Sequence, residues 1–569
     1  MRRTLLIMAA LSACGPGTPP PAGPVPTRFP NPTVDFGDFD LIIANGRIVD
    51  GSGAAWFYGD VAIRGDRITQ VAPRGVLSRT RTKHWLDAAG LVVAPGFIDI
   101  QGQSDYSFTL GDGRGVSKIT QGVTTEIMGE GSSPAPTNAN YKGFERPGTD
   151  YPGPRGFDAW LRAMQANGVS ENFGSFLGAA TVRVYAKGEA QGPATAAELD
   201  TMRAVVRNAM QDGAFGVASA LIYPPGNYAS TEELIELARA MAPFGGLYIT
   251  HMRSEGNAWL EAIDETIRIG KEGGVPAEIY HLKAGGKRNW SKEPAAIAKI
   301  DSARAAGLDL QANMYAYTAG GTGLTACLPP WASADGKLFD NIANPETRRR
   351  IRAEIDRDQN EWESLCQMGG PENVLFAQFD KPENKRFVGK RLSEVAQITG
   401  KEWQEAAMDL IVSERSRVET IFFLMSEENV KLQLRQPWMK FGTDADGQDP
   451  AKAQGLTHPR TYGNYPRILG KYVREERVLP LEDAIRKMTS AVATRLSIPD
   501  RGLLRPGFFA DVVIFDPATV ADRATYEQPH QVSVGIKHVL VNGVIVLQDG
   551  VHTGAKPGRL VRGPGYARQ

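Results

Sequence analysis

The amino-acid sequence predicts an α/β fold in which a β/α barrel carries an accessory β domain. Short β-branched runs alternate with helical segments from Ala94 onward, as in parallel α/β arrangements. Both chain ends instead contain short strands separated by turn signals such as Asn45-Gly46. The length of 569 residues suits a large barrel with a second domain.

The accessory domain is expected from residues 36–92 plus 503–569. Its C-terminal strands are predicted at 511–516 and 538–546, and the second contains an Asn-Gly hairpin signal. We expect both ends to combine into one small β-sandwich beside the barrel, which covers residues 93–502.

The barrel strands are predicted from buried β-branched runs. They lie at 92–99, 124–130, 173–178, 216–221, 248–251, 279–281, 308–315 and 438–444. Residues at about 325–436 contain several helical runs and are predicted to form an insertion. An insertion after a barrel strand would lie over the active face as a lid.

Two of these strands end in histidine, His251 and His281, and a helix is predicted between them from about 257 to 272. Parallel strands joined in this way place both imidazoles at the face of a barrel where catalysis occurs. Paired imidazoles form the core of a zinc site once a third ligand is present. A single histidine at a strand end is more often structural, but two in consecutive units favour a metal site.

The charge composition argues against nucleic acid as a partner. Lys and Arg together number 64, as do Asp and Glu, so no charge excess indicates a polyanionic partner. Apart from Cys14, the chain contains Cys327 and Cys366, too few for a disulfide framework and without a Cys-x-x-Cys motif.

The N-terminus has the pattern of an export signal. Arg2 and Arg3 precede a short apolar run, and 11–14 reads Leu-Ser-Ala-Cys, which resembles a bacterial lipobox. We expect residues 1–13 to be a signal peptide and 14–35 a Pro-rich tether lipidated at Cys14, which would anchor a periplasmic protein to the outer membrane. An ordinary secretory peptide is the alternative. No run is long enough for a transmembrane helix.

Several motifs together resemble the amidohydrolase superfamily, in the branch of N-acyl-D-amino-acid deacylases (D-aminoacylases). They are Ala-Pro-Gly-Phe-Ile-Asp at 94–99, Gly-Val-Thr-Thr at 122–125, Tyr-Pro-Pro-Gly-Asn-Tyr at 223–228, Thr-His-Met-Arg-Ser-Glu at 250–255, His-Leu-Lys at 281–283, His-Pro-Arg at 458–460 and Tyr-Pro-Arg at 465–467. The resemblance covers nearly everything after the tether. It implies a (β/α)8 TIM-like barrel with a flanking β-sandwich.

The resemblance also implies a metal site, with two departures. The usual His-x-His of the first strand is Gln101-Gly-Gln103, so the metal held by that pair should be absent or very weak. Glu130 stands where the deacylases usually have cysteine. Glu130, His251 and His281 would form a His₂Glu set with an open position, and one zinc per chain is expected.

Further roles follow from the same resemblance. Asp444 matches the acid of the family and would act as general base and then general acid, while zinc supplies the hydroxide nucleophile. Lys283, Arg460 and Tyr315 or Tyr317 would bind the substrate carboxylate. Two departures near the pocket, Ala179 for a family histidine and Asn313 for an aspartate, suggest a changed substrate.

The expected activity is zinc-dependent hydrolysis of linear amides in a small-molecule N-acyl-D-amino acid or short peptide. A D-residue or isoaspartyl-type dipeptidase is the first alternative. The second is a catalytically inactive, ligand-binding lipoprotein in which the two glutamines mark lost catalysis.

Overall fold

The structure is a computed structural model that describes residues 39–357 and 361–566. The predicted signal peptide, the tether and Cys14 lie outside these residues. Within the described ranges, no helix is both long and apolar enough to cross a membrane.

The strands lie at the following positions. They are β1 (Phe39–Ile48), β2 (Phe57–Arg64), β3 (Arg67–Pro73), β4 (Thr82–Asp87), β5 (Val92–Pro95), β6 (Phe97–Asp99), β7 (Val123–Met128), β8 (Asn172–Ser175), β9 (Leu177–Gly178), β10 (Gly216–Ala220), β11 (Leu247–His251), β12 (Ala277–Ile279), β13 (Leu310–Met314), β14 (Gly320–Gly323), β15 (Val374–Gln378), β16 (Glu419–Phe422), β17 (Met439–Phe441), β18 (Val512–Phe515), β19 (Ile536–Val541), β20 (Val544–Gln548) and β21 (Val551–His552).

The α-helices alternate with the central strands. They are α1 (Asp105–Thr109), α2 (Val116–Ile119), α3 (Gly156–Asn167), α4 (Ala179–Lys187), α5 (Ala196–Asp212), α6 (Thr231–Met241), α7 (Trp259–Gly273), α8 (Glu293–Ala305), α9 (Leu338–Ala343), α10 (Pro345–Ile355), α11 (Leu365–Gly369), α12 (Leu392–Thr399), α13 (Trp403–Glu414), α14 (Glu427–Leu434), α15 (Arg460–Arg467), α16 (Leu481–Met488) and α17 (Ser490–Arg495). A π-helical segment, Ile468–Glu475, continues α15.

The predicted barrel is confirmed. One parallel sheet has the order β17-β13-β12-β11-β10-β9 and another the order β6-β7-β8. Strands β8 and β9 are separated by one residue, so together they form a single barrel strand. The ring closes between the first and last strands, where Asp444 N donates to Gln101 O over 2.8 Å and Gln103 N to Ala445 O over 3.0 Å.

The flanking β domain is built from both chain ends, as predicted. Its nine strands run in the order β21-β20-β19-β18-β5-β1-β2-β3, and β4 pairs with β1. The two ends meet where β18 pairs antiparallel with β5. Buried aliphatic side chains such as Ile43, Val61, Val512 and Leu540 form its core.

The entry to the barrel differs from the prediction of a single strand at 92–99. Strand β5 pairs within the flanking sheet, and only β6 belongs to the barrel. Gly96 separates them. A Cβ atom there would lie 2.1 Å from the Thr124 side chain, so only glycine lets the chain pass from one sheet to the other.

The insertion contains the predicted helical runs, which form α10 and α13, together with a small sheet that was not predicted. Its strands β14, β16 and β15 form an antiparallel sheet whose core includes Phe376 and Phe422. The insertion ends before α14, because Val430 and Leu434 on that helix pack into the barrel core. Cys327 and Cys366 form a disulfide inside the insertion, which the spacing of the cysteines did not indicate.

Candidate metal centre

Three side chains converge at the C-terminal face of the barrel. Glu130 follows β7, His251 ends β11 and His281 follows β12. One donor atom from each lies within 4.8 Å of the others. Glu130 Oε1 is 3.0 Å from His281 Nε2 and 3.4 Å from His251 Nδ1. The structure therefore brings together the three residues predicted as metal ligands.

The donor set fits zinc. Two imidazole nitrogens and one carboxylate oxygen match the ligands that zinc takes in catalytic sites, where a fourth position stays open. All three side chains line a cavity of about 770 Å³ that opens to solvent. Burial opposes ionisation of Glu130, but the two imidazoles hold its pKa well below the ordinary value, so the carboxylate is charged and able to bind a cation.

Gln101 and Gln103 contact the same carboxylate from the other side. Gln101 Nε2 donates to Glu130 Oε2 over 2.7 Å, and Gln103 Nε2 donates to it over 2.9 Å. Two N–H donors therefore face the oxygen that points away from the histidines. A cation cannot approach Oε2 along those two directions unless the amides move.

A second carboxylate, Glu255, lies behind the histidines. Its Oε1 is 3.0 Å from His281 Nδ1 and 2.5 Å from Lys283 Nζ, and its Oε2 is 3.7 Å from His251 Nε2. Burial opposes its ionisation, yet Lys283 and the two imidazoles hold the pKa of Glu255 well below its usual range. Outer partners of this kind orient metal-ligating histidines. Glu255 stands in the 250–255 motif, but sequence reasoning gave it no role.

Asp444 follows the last barrel strand and lies beside Arg460. Arg460 Nη1 is 2.7 Å from Asp444 Oδ2, and the buried Arg460 Nε has no hydrogen-bond partner among the residues that the structure describes. Burial raises the pKa of Asp444 above its ordinary value, and the Arg460 guanidinium opposes that shift. Gln103 Nε2 lies 3.4 Å from Asp444 Oδ1, which connects this pair to Glu130.

The two tyrosines predicted for substrate binding have different surroundings. Tyr315 lines the cavity, and the Arg460 guanidinium lies 4.5 Å from its ring centroid. Tyr317 is not among the residues that line the cavity, and its hydroxyl donates to Asp522 over 3.1 Å. The structure therefore brings only Tyr315 to the candidate site.

Comparison with known proteins gives the family. A family model described as "Amidohydrolase family" matches residues 412–547. A D-aminoacylase from Alcaligenes xylosoxydans xylosoxydans is 34% identical over 541 residues, which cover 93% of this chain and 98% of that protein. The chain belongs to the amidohydrolase family, in its D-aminoacylase branch.

Two solved amidohydrolase structures are similar over 92% of this chain and 100% of theirs. One is a D-aminoacylase, at 33% identity and a TM-score of 0.77, studied for its binuclear metal centre and described as showing one-metal activation and second-metal attenuation. The other, at 31% identity and a TM-score of 0.76, is an N-acyl-D-glutamate deacylase from Bordetella bronchiseptica. It is complexed with zinc and a phosphonate inhibitor that mimics the tetrahedral intermediate of its reaction.

Asn313 and Ala179 depart from the amidohydrolase pattern in different ways. Asn313 Oδ1 accepts the backbone N–H of His281 over 2.8 Å, and His281 has a positive φ of 32°. Asn313 therefore supports a strained ligand backbone. Ala179 is buried at the first residue of α4, and the next residue, Ala180, lines the cavity.

Two further residues near the ligands were not singled out from the sequence. The Tyr223 ring centroid lies 5.3 Å from that of His251. Arg417, from the insertion, lines the cavity and pairs with Glu419 over 2.5 Å. Tyr223 belongs to the 223–228 motif, whereas no local pattern marked Arg417.

Proposed function

We propose that the chain is a zinc-dependent hydrolase of linear amide bonds that deacylates N-acyl-D-amino acids. The observation that carries the proposal is the convergence of Glu130, His251 and His281 with Asp444 at one open cavity. Relatives named D-aminoacylase, N-acyl-D-glutamate deacylase and N-acyl-D-aspartate deacylase, at 34%, 33% and 32% identity, support this substrate class.

Glu130, His251 and His281 would hold a single zinc ion. Zinc bound there would supply the Lewis acidity that activates water and polarises the scissile carbonyl. The proposal of one zinc per chain is supported by Gln101 and Gln103, because neutral amides replace imidazoles at the second position and direct N–H groups at Glu130 Oε2.

Asp444 is proposed to move the proton. Its raised pKa keeps the carboxyl group closer to neutrality than a surface aspartate, which suits a group that first accepts and later donates a proton. Arg460 fixes one oxygen of Asp444, and among the described residues the other oxygen has only the 3.4 Å contact with Gln103. That oxygen is the one available to the reacting atoms.

The substrate carboxylate is proposed to bind Arg460 and Tyr315. The unpartnered Nε of Arg460 is a buried donor that an anion can satisfy. Within the described part of the chain, the hydrogen-bond contact of the Tyr315 hydroxyl is a long one of 3.8 Å to the sulfur of Met425, so the hydroxyl can turn to a ligand. Lys283 remains a candidate for the same carboxylate, although its ammonium already pairs with Glu255.

A panel of chiral substrates tests the proposal. N-acetyl-D-amino acids, their L enantiomers and dipeptides of both chiralities would be incubated with the zinc-loaded chain, with Asp444→Asn as the inactive control. We expect turnover of the N-acetyl-D compounds alone. Turnover of dipeptides alone would instead indicate a dipeptidase, and tight binding without any turnover would indicate an inactive binding protein.

We also propose that the chain is an exported lipoprotein of the periplasm, anchored to the outer membrane at Cys14. Besides the N-terminal pattern, the Cys327–Cys366 disulfide supports export, because disulfides persist mainly in oxidising compartments. Membrane fractionation of the full chain and of Cys14→Ser tests this. Release of Cys14→Ser into the soluble fraction is expected, and unchanged fractionation would contradict the anchor.

A further inference from the structure

The insertion contacts the barrel loop that carries Glu255, and its residue Glu363 forms hydrogen bonds with that loop. This residue lies far along the chain from the barrel loop that follows β11. Its carboxylate accepts hydrogen bonds from Ser254 Oγ over 2.8 Å, from Glu255 N over 3.0 Å and from Gly256 N over 2.9 Å. Three donors from consecutive residues meet on this one carboxylate, so the contact fixes the loop at three points.

The loop held by Glu363 carries the Glu255 side chain. Glu255 points away from Glu363 toward the ligands, where it contacts His281 Nδ1, Lys283 Nζ and, at 3.7 Å, His251 Nε2. The backbone N–H of Glu255 thus faces the insertion, while the side chain of the same residue faces the metal site. If this backbone changed position, the Glu255 carboxylate, which lies behind both histidines, would move with it.

The position of Glu363 is itself fixed by the insertion. The next residue, Ser364, donates its hydroxyl to Cys327 O over 2.9 Å, and Cys366 is joined to Cys327 by the disulfide. On the barrel side the fit is close. A Cβ atom at Gly256 would lie 2.8 Å from the Glu363 carboxylate, so a larger residue there would push this side chain aside.

We infer that Glu363 is a positioning residue for the metal centre, acting through Glu255 rather than by contact with a ligand. This inference rests on the metal site of the proposed function but not on which amide the protein hydrolyses. Changes to the outer partners of metal ligands lower metal affinity by about 10- to 100-fold. Glu363 is one contact further from the metal ligands than Glu255 is. We therefore expect a loss of zinc affinity near the lower end of that range.

The test is a double-mutant cycle on zinc affinity. The zinc dissociation constant would be measured by competition with a chromophoric chelator for the parent chain, Glu363→Ala, Glu255→Ala and the double variant. Glu361→Ala, which removes an exposed glutamate two residues away, is the matched control. Glu363→Gln is a second variant that keeps the side-chain volume, and thermal unfolding of each metal-free protein identifies any variant that fails to fold.

We expect Glu363→Ala to weaken zinc binding about tenfold. We expect Glu361→Ala to have no effect, and Glu363→Ala to add nothing in the Glu255→Ala background, because both changes interrupt the same chain of contacts. Cobalt substituted for zinc in Glu363→Ala should show a shifted visible spectrum. Unchanged zinc affinity in a folded Glu363→Ala variant would overturn the inference. It would also be overturned if Glu363→Ala lowered zinc affinity by the same factor in the Glu255→Ala background as in the parent. None of these measurements uses deacylase activity. They therefore test the role of Glu363 even if the protein does not hydrolyse the proposed substrates.

Discussion

Gln101 donates its side-chain amide to Glu130 over 2.7 Å, on the oxygen that faces away from the two histidines. Glu130 thus has one oxygen directed at the imidazoles and another covered by amide donors, since Gln103 contacts Oε2 as well. This geometry supports the proposal of a single metal position, on the side of Glu130 that faces the histidines.

Restoring imidazoles at these positions should create a second metal position. We expect the Gln101→His, Gln103→His double variant to bind two zinc ions per chain where the parent binds one, because imidazole ligates zinc and a neutral amide does so poorly. Elemental analysis after dialysis measures the stoichiometry. Gln211→His, at an exposed site on α5, controls for zinc bound by any added histidine. One zinc in the double variant would contradict the role given to the amides.

Asp444→Asn should abolish proton transfer without removing the metal. We expect kcat to fall about 10²- to 10⁴-fold, the usual contribution of a general acid or base, while zinc content stays unchanged. Steady-state kinetics with elemental analysis checks both. Asp200→Asn, on the exposed side of α5, should behave like the parent. Loss of zinc from Asp444→Asn would instead identify Asp444 as a ligand.

Tyr315 and Tyr317 provide a matched pair for substrate binding. We expect Tyr315→Phe to raise KM about tenfold, because Tyr315 lines the cavity and a hydrogen bond to a charged group contributes about 1.5 kcal/mol or more. Tyr317→Phe should leave KM unchanged and lower the free energy of unfolding by about 1 kcal/mol, because it removes the bond to Asp522. The reverse pattern would mean that Tyr317 contacts substrate.

Glu293 makes the stability of the barrel depend on pH. It is buried at the start of α8, where burial raises its pKa to about 7 from 4.5, and one oxygen has no partner. The folded chain therefore binds more protons than the unfolded chain between those pH values. As a result, the contribution of Glu293 to stability falls as pH rises through this window.

Glu293→Gln should remove that dependence. We expect the variant to match the parent at pH 4.5 and to be more stable by about 3 kcal/mol at pH 8, where the parent must bury a charged carboxylate. Urea unfolding at the two pH values measures the difference. Glu261→Gln, an exposed change on α7, should show no such pH-dependent gain. Equal stability of Glu293→Gln and the parent at pH 8 would contradict the shift.

The barrel and three of the candidate site residues were predictable because their signals are local. His251, His281 and Asp444 each stand at or just beyond the end of a buried run, and strand ends of a parallel barrel meet on one face. The flanking domain was predictable for the same reason, since turn signals divide its strands. Residues 92–99 show the limit of this reasoning. A run of apolar residues looks the same whether it forms one strand or, as here on either side of Gly96, two strands of different sheets.

The parts that escaped prediction depend on contacts distant in sequence. Strand β14 reads Gly-Gly-Thr-Gly, a composition poor in strand-forming residues, and it pairs with β16 about a hundred residues later. The Cys327–Cys366 pair could not be inferred from two cysteines 39 residues apart. The contact of Glu363 with the loop of Glu255 spans 108 residues. The pairing of Lys283 with Glu255 depends on how two loops turn after their strands.

Titration of the metal-free chain with zinc measures directly how many zinc ions the proposed deacylase needs for activity. Hydrolysis of an N-acetyl-D-amino acid would be followed while zinc is added in substoichiometric steps. We predict that activity rises linearly and reaches its plateau at one zinc per chain, with no turnover of the L enantiomer. A plateau at two zinc ions, or no activity at any zinc content, would contradict the account.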